Sequence, residues 1–146
     1  MKNVRLVKRD ELGKLLELYK HLNPEDPDIS GEAASALWNS IIDDPQQYIF
    51  VIEEDSVLAA SCTLIIVSNL TRGGRPYGLI ENVVTHGSFR RRGFGTVVLK
   101  KAIGTARERG CYKVMLMTGR KDEGTLFFYE KAGFERGMKT GYCIKF

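Results

Sequence analysis

Apolar residues recur along the chain with two different periods, and each period predicts one kind of element. Over residues 10–22 and 30–43 they return every three or four positions, which is typical of helices that bury one face. Asp10 and Ser30 stand at the first positions of these segments, and both are residues that cap helix N-termini. We therefore predict two helices in the first third of the chain.

Shorter apolar runs predict strands. The runs Tyr48–Glu53 and Val57–Ser68 are separated only by the polar residues 54–56, which indicates a hairpin. The segment Asn69–Gly78 carries three glycines, a proline and two arginines, and it predicts a flexible loop. The other predicted strands are Val4–Val7, Leu79–Thr85, Lys113–Met117 and Tyr142–Phe146.

Two further helices complete the predicted order of elements. One covers Gly95–Arg109 and ends at Gly110, and the other covers Thr125–Ala132 and ends at Gly133. The resulting order is β-α-α-β-β-β-α-β-α-β, with no repeat, linker or low-complexity tract. It predicts one α/β domain over residues 1–146, with helices packed on a mixed, mostly antiparallel sheet.

Composition narrows the classes of protein. The 146 residues are 43% apolar and 27% charged, which is ordinary for a soluble domain. No apolar run approaches the roughly 20 residues of a membrane span, and residues 1–5 lack the apolar region of a signal peptide. We therefore expect a cytoplasmic protein with no membrane partner.

The sequence gives no sign of a metal site. Cys62, Cys111 and Cys143 are far apart, and they show neither metal-ligand spacing nor a disulfide framework. His21 and His86 have no local partner pattern. We expect buried free thiols and no bound metal.

The positive charge is concentrated in one part of the chain. The net charge is +4, but residues 86–121 contain ten basic residues and a single acid, Glu108. Such an excess attracts a polyanion, either a nucleic acid or a small ligand with several phosphates. Because the chain has neither the strand aromatics of RNA-binding sheets nor zinc ligands, we expect no nucleic-acid partner.

A basic, glycine-containing turn lies between the predicted strand Leu79–Thr85 and the next helix. It reads Arg90-Arg91-Arg92-Gly93-Phe94-Gly95-Thr96 and offers consecutive N–H groups at a helix N-terminus, a geometry that binds phosphates. Its glycines allow the backbone to bend and an anion to approach. It matches neither the P-loop nor the Rossmann fingerprint. The alternative is an ordinary helix entry with surface arginines.

Three features in the same order resemble the GNAT superfamily of acetyl-CoA-dependent N-acetyltransferases. They are the strand Leu79–Thr85, the turn Arg90-x-x-Gly93-x-Gly95, and the run F-Y-E-K-A-G-F at residues 128–134. The last run, together with Gly110-Cys111-Tyr112-Lys113, is most similar to the glucosamine-6-phosphate N-acetyltransferase branch. The resemblance covers Leu79–Phe134; the N-terminal half matches only in the order of its elements.

The resemblance implies a single N-acetyltransferase domain in which coenzyme A lies in a cleft between the splayed fourth and fifth strands. The basic turn would hold the pyrophosphate, and the strand end would run beside the pantetheine arm, much as a peptide pairs with a sheet edge. The implied contacts with acetyl-CoA are Val83, Val84, Thr85, Arg90, Arg91, Arg92, Gly93, Phe94, Gly95, Thr96 and Thr125.

Acetyl transfer to an amine requires a base for the ammonium and an acid for the leaving thiolate. Glu81 is the candidate base, because a carboxylate on a central strand is costly to bury without a role; otherwise it faces solvent or pairs with an arginine. Tyr129 is the candidate acid, and the alternative is a tyrosine that only packs its ring. Val83 or Val84 N–H would stabilise the oxyanion.

The acceptor is the least defined part of the prediction. Arg72 and Arg75, in the glycine-rich loop, are candidate ligands of an acceptor phosphate or carboxylate, unless the loop is merely solvated. Asn82 is a third candidate, and the related sugar-phosphate enzymes carry Asp there. A small-molecule primary amine is the leading acceptor class. The alternatives are a protein N-terminus or lysine, and a sensor that binds acetyl-CoA without turnover. The resemblance also implies a homodimer.

Overall fold

One five-stranded sheet forms the centre of the protein, whose computed structural model describes residues 2–146. The strands lie side by side in chain order, and all neighbours are antiparallel except the parallel pair β4–β5. This is the mixed, mostly antiparallel sheet that the sequence predicts. The strands are β1 (Arg5–Leu6), β2 (Gln47–Glu54), β3 (Val57–Val67), β4 (Tyr77–Thr85) and β5 (Val114–Leu116).

Helices cover both faces of the sheet. They are α1 (Leu12–Tyr19), α2 (Gly31–Ile42), the four-residue helical turn α3 (Thr71–Gly74), α4 (Phe94–Glu108) and α5 (Glu123–Lys131). The α3 turn and the start of β4 lie within the segment predicted as a loop. No helix in residues 2–146 is both long and apolar enough to cross a membrane.

The alternation of side chains along β3 creates two hydrophobic cores. Cys62 and Leu64 face α4, where they join Ile80, Phe94 and other residues in one buried cluster. On the other face, α1 and α2 contribute buried Leu15, Leu18 and Trp38 to a second cluster with Ile49, Val51 and Val84. Because both faces of β3 are covered, the strand is apolar almost throughout, as expected for a central strand.

The predicted last strand, Tyr142–Phe146, is wrong. The structure gives this segment no strand pairing, and the side chains of Tyr142 and Ile144 are 89% and 82% exposed. The sheet ends at β5, which is only three residues long, so it offers this segment little edge to pair with. Alternating apolar residues predict a strand only where a partner edge exists.

A buried ion pair fastens β1 to the start of α1. Arg5 donates to both carboxylate oxygens of Glu11, at 2.7 and 2.8 Å, and also to Glu53 at 2.7 Å. The N–H of Lys8 donates to Glu11 at 2.8 Å. Glu11 is only 6% exposed, and these donors, chiefly Arg5, lower the pKa of its carboxyl to about 2.

We predict that Glu11→Gln destabilises the fold in a pH-dependent way. A folded-state pKa of about 2, below the ordinary 4.5, means that the carboxylate stabilises the protein above about pH 4.5. The stabilisation is lost as the pH falls towards 2, and at neutral pH it is at most about 3 kcal/mol. Urea unfolding at several pH values measures it. The exposed Glu17→Gln, which removes an ion pair with Lys20, is the matched control and should cost less than about 1 kcal/mol. A pH-independent effect of Glu11→Gln would contradict the assignment.

Candidate active site

A β-bulge interrupts β4 at the residue after Glu81. Glu81 pairs with Thr63 and Val84 with Ser61, so Asn82 and Val83 together stand opposite the single residue Cys62. Asn82 has φ +51°, in the left-handed region that residues other than glycine seldom adopt. Bulges of this kind redirect a strand and are frequent next to active sites.

The outer edge of β4 is open beyond the bulge. Strand β5 pairs with β4 only from Gly78 to Ile80. Residues 81–85 have no strand neighbour on that side within the described chain, because β5 ends at Leu116. A cleft therefore opens between β4 and β5, as expected for the splayed pair.

The turn after β4 leads directly into the N-terminus of α4. Arg91 at φ +59° and Gly93 at φ +81° bend the backbone in the left-handed sense, and α4 begins at Phe94. Among residues 2–146 no side chain caps this helix, and its first turn contains no acid. Its first N–H groups therefore lack intrahelical acceptors, and with the helix dipole they form a site that favours an anion.

Gly95 allows β4 and α5 to pack closely against the first turn of α4, beside these N–H groups. A Cβ atom at this position would lie 3.1 Å from Thr85 Oγ1 and 3.3 Å from Phe128 Cζ, closer than ordinary contacts. Gly95 is thus the point at which β4, α4 and α5 come together. Any larger residue here would fill the space between the turn and α5.

The three arginines of the turn have different surroundings. Arg90 donates to the carbonyl oxygens of Thr85 at 3.4 Å and His21 at 3.3 Å. Arg92 pairs with Glu54 at 3.4 Å and lies over the ring of Phe94. Arg91 makes no side-chain hydrogen bond or ion pair with residues 2–146. Arg90 and Arg92 therefore hold the turn in place, and contact of Arg91 with a ligand stays a prediction.

Glu81 and Tyr129 approach the bulge from different elements. Glu81 is half-buried on β4 and forms no ion pair within residues 2–146. Tyr129 is half-buried on α5, and burial raises the pKa of its phenol above the ordinary value. The charge of Glu81 also raises it, against a larger opposing effect of Arg120. The phenol therefore keeps its proton at neutral pH, and it is near enough to Glu81 to sense its charge.

Thr125 is occupied by the N-terminal cap of α5. Its N–H and its hydroxyl both donate to the Asp122 carboxylate, at 3.0 and 2.7 Å. These bonds, with that of Arg120, lower the pKa of Asp122. Contact of Thr125 with the coenzyme stays a prediction.

The structure does not bring Arg75 to the bulge. Its guanidinium donates to the carbonyl oxygens of Gly110 and Cys111, both at 3.2 Å, at the start of β4. It stands six positions before Glu81 in the sequence, about 20 Å along an extended chain. Arg72 lies over the ring of Tyr112 at 5.7 Å. Their role in acceptor binding also stays a prediction, whereas Asn82 lies on the bulge itself.

Two sets of polar residues near the site were missed from the sequence. The phenol of Tyr19, on α1, lies near the side chains of Thr63, Ser61 and Asn82, and burial is the main cause of its raised pKa. Ser61 Oγ is buried with no hydrogen-bond partner in residues 2–146. Ser61 and Thr63, two hydroxyl residues in the otherwise apolar strand β3, could have indicated this polar group from the sequence. The second set is His21 and His86, whose rings lie 4.0 Å apart.

The expectation of buried thiols is correct for Cys62 and wrong for Cys143, which is exposed, while Cys111 is half-buried. Cys62 is buried, donates to the carbonyl oxygen of Val98 at 3.4 Å, and has its thiol pKa raised by burial to about 12. Within residues 2–146 no group of three His, Cys, Asp or Glu side chains is arranged to hold a metal ion.

The unpaired edge of β4 leads from the bulge to the N-terminus of α4, where the free N–H groups favour an anion. Residues 15–134 match the Acetyltransferase (GNAT) family, and the chain belongs to it. The protein is therefore an N-acetyltransferase by family.

Relatives agree over nearly the whole chain. A glucosamine 6-phosphate N-acetyltransferase from Trypanosoma brucei brucei is 34% identical over 144 residues, covering 93% of this chain and 92% of the relative. The structure of a putative acetyltransferase from Agrobacterium tumefaciens is 45% identical, with a TM-score of 0.92 and coverage of 98% and 99%. The glucosamine-6-phosphate N-acetyltransferase of Arabidopsis thaliana is 25% identical, with a TM-score of 0.86 and coverage of 100% and 98%.

Proposed function

We propose that the protein transfers the acetyl group of acetyl-CoA to the primary amine of a small molecule, by direct attack of the amine. One observation carries the proposal: the unpaired edge of β4 runs from Glu81 at the bulge to the uncapped N-terminus of α4. This edge suits an extended thioester arm, and the helix N-terminus suits its pyrophosphate.

The residues of the cleft fit acetyl-CoA in distinct ways. The N–H groups from Arg91 to Thr96 would bind the pyrophosphate, and the open edge at 83–85 would hydrogen-bond the pantetheine amides. The N–H of Val83 or Val84 would polarise the thioester carbonyl, because the bulge turns this part of β4 away from regular pairing. Because Gly95 has no side chain, the first turn of α4 can pack closely against Thr85 and Phe128 and stay next to the end of β4.

Proton transfer is divided between Glu81 and Tyr129. Glu81 takes one proton from the acceptor ammonium, directly or through water, and passes it to solvent. The neutral amine attacks the carbonyl carbon, and the carbon–sulfur bond breaks as the new carbon–nitrogen bond is completed. The departing thiolate takes the phenolic proton of Tyr129, which recovers a proton from the nitrogen of the new amide. The raised pKa of Tyr129 ensures that the phenol is protonated when the thiolate forms.

An amino sugar phosphate is the acceptor class that we propose first. The support is that the relatives from T. brucei and A. thaliana are named glucosamine 6-phosphate N-acetyltransferases. Release of free thiol from acetyl-CoA should be followed with glucosamine 6-phosphate, glucosamine, other small amines and peptides with a free N-terminus or lysine. We expect glucosamine 6-phosphate to give the highest kcat/KM. Preference for a peptide would replace this acceptor class, and tight acetyl-CoA binding with no turnover on any amine would favour a sensor.

We predict that Arg72→Ala and Arg75→Ala have different effects. If Arg72 binds the acceptor phosphate, Arg72→Ala should raise KM for glucosamine 6-phosphate about 10-fold or more and leave KM for glucosamine unchanged. Arg75→Ala should instead lower the melting temperature, because Arg75 holds the carbonyl oxygens of Gly110 and Cys111. The exposed Arg107→Ala on α4 is the control for loss of charge. Equal KM values in all four proteins would remove both arginines from the acceptor site.

We also propose that the protein is a homodimer. Exposed apolar side chains in the C-terminal segment, among them Met138, Tyr142 and Ile144, support it. Light scattering of the purified protein measures the mass in solution and tests it.

A further inference from the structure

Two imidazoles join the end of α1 to the turn that precedes α4. His21 follows α1 and His86 follows β4; their ring centroids are 4.0 Å apart, with 43° between the ring planes. The reaction proposed above uses neither ring. Their contact nevertheless spans the two parts of the protein that flank the open edge of β4.

Both rings accept hydrogen bonds from consecutive backbone groups. Nδ1 of His21 accepts the N–H of Gly87 at 3.2 Å, and Nδ1 of His86 accepts the N–H of Ser88 at 3.1 Å. A nitrogen that accepts an N–H bears no proton, so this arrangement requires neutral imidazoles. The beginning of the turn is therefore held by two rings that come from different parts of the chain.

Contacts continue from this pair to the helix N-terminus. Arg90 donates to the carbonyl oxygen of His21 at 3.3 Å. The ring of His86 lies 5.4 Å from that of Phe89, which in turn packs edge-on against Phe94 at 5.7 Å. Because Phe94 is the first residue of α4, a shift of the imidazole pair displaces the N–H groups of the anion site.

We propose that His21 and His86 are positioning residues: neutral, they hold the coenzyme-binding turn in place, and a proton on either ring releases it. The proposal rests on the coenzyme site argued above. Protonation at Nδ1 replaces an acceptor with a donor that faces a backbone N–H, so the hydrogen bond is lost. It also places a positive charge against the second imidazole and Arg90.

The charged groups around the pair determine the direction of the pH effect. Glu17 and Lys14 of α1 line the same surface cavity as the two histidines, whereas Ser56, Val57 and Leu58 at the start of β3 bring no charge. Burial lowers the pKa of His21 below its ordinary 6.5, and His86 and Arg90 lower it further, against Glu17. The hydrogen bond that His21 accepts from Gly87 is therefore complete above about pH 6.5 and is lost as the pH falls through the lowered value.

The test compares coenzyme A binding in wild-type protein, His21→Asn and His86→Asn at about pH 8 and about pH 5.5, by calorimetry. Asn Oδ1 can replace the Nδ1 acceptor but does not titrate, and the coenzyme phosphates titrate alike in all three proteins. We expect similar dissociation constants at the higher pH. At the lower pH the wild-type protein should lose about fivefold more affinity than the variant lacking the titrating ring.

Two outcomes of this comparison would overturn the proposal. One is an equal loss of affinity in all three proteins. The other is a smaller loss in the wild-type protein than in the Asn variants, since the histidines would then act as cations for the phosphates. His21→Phe keeps the ring without its acceptor and should weaken binding at both pH values; unchanged affinity at about pH 8 would also overturn the proposal.

A second measurement separates this proposal from that of the coenzyme site. In wild-type protein the N–H resonances of Gly87 and Ser88 should shift as the pH falls, and each should stay constant in the variant whose Asn replaces its acceptor. Resonances that are unchanged with pH in the wild-type protein would overturn the proposal. If coenzyme A binds to no protein at any pH, the proposed function fails, and the resonances still show whether the histidines hold the turn.

Discussion

Replacement of Tyr129 by Phe is expected to lower kcat by about 10²–10⁴-fold while leaving the affinity for acetyl-CoA nearly unchanged. The phenol is half-buried and its pKa is raised by burial, so it keeps a proton to give to the departing thiolate. The Phe variant keeps the aromatic packing against Phe128 and Phe134 and removes only the donor. Glu81→Gln should reduce the rate as well, most strongly at low pH, where more of the acceptor is ammonium.

The control for the variants Tyr129→Phe and Glu81→Gln is Tyr48→Phe. The Tyr48 hydroxyl accepts a hydrogen bond from Arg109, away from the bulge, so its loss should leave kcat unchanged. A thioester with a more acidic leaving thiol should shrink the effect of Tyr129→Phe, because that thiolate needs less help. Full activity of Tyr129→Phe across the pH range would make Tyr129 a packing residue. Full activity of Glu81→Gln would assign the base to water or another group.

Gly95→Val is expected to weaken coenzyme A binding by more than about 100-fold, because a side chain there displaces the first turn of α4, whose N–H groups would bind the pyrophosphate. The Cβ atom alone would lie 3.1 Å from Thr85 Oγ1 and 3.3 Å from Phe128 Cζ, and the two methyl groups of Val add to this crowding. Calorimetry with coenzyme A measures the loss.

Gly104→Val provides the matched control in the same helix. A Cβ at Gly104 meets nothing within 4 Å, so this variant changes helix propensity without filling the cleft. Because Gly95→Val also presses on Phe128, circular dichroism should be used to check that both variants are folded. A folded Gly95→Val that binds coenzyme A with wild-type affinity would contradict the placement of the pyrophosphate on this turn.

The features of the candidate site that could be predicted from the sequence are those that depend on residues close together in the chain. The turn from Arg90 to Thr96 is one, because its glycines and its position between a strand and a helix are local features. Family membership followed from the same segment together with the run at 128–134. Glu81 and Asn82 were placed at the strand end by the same local pattern, and the structure puts the bulge at Asn82 and Val83.

The remaining features depend on contacts between distant parts of the chain. The sequence around His21 and around His86 gives no sign that the two rings are paired, because the end of α1 and the turn after β4 come together only in the folded protein. Arg75 was a candidate acceptor ligand from its loop composition alone; the structure places its guanidinium on the carbonyl oxygens of Gly110 and Cys111, and its role stays a prediction. The predicted strand at 142–146 was wrong because its apolar pattern is local, whereas the sheet edge that it needs ends at Leu116.

The unequal burial of the chain has a consequence for local unfolding. Neither β5 nor α5 contains a fully buried residue, whereas β3 is buried along most of its length. Segments with few buried contacts open at a lower free energy than the whole fold, so amide hydrogens of β5 and α5 should exchange before those of the β2–β3 hairpin. Strand β5 pairs with β4, and α5 carries Tyr129. A ligand that contacts both β4 and Tyr129 binds only when β5 and α5 are folded, so acetyl-CoA bound there would reduce the local unfolding of the last third of the chain.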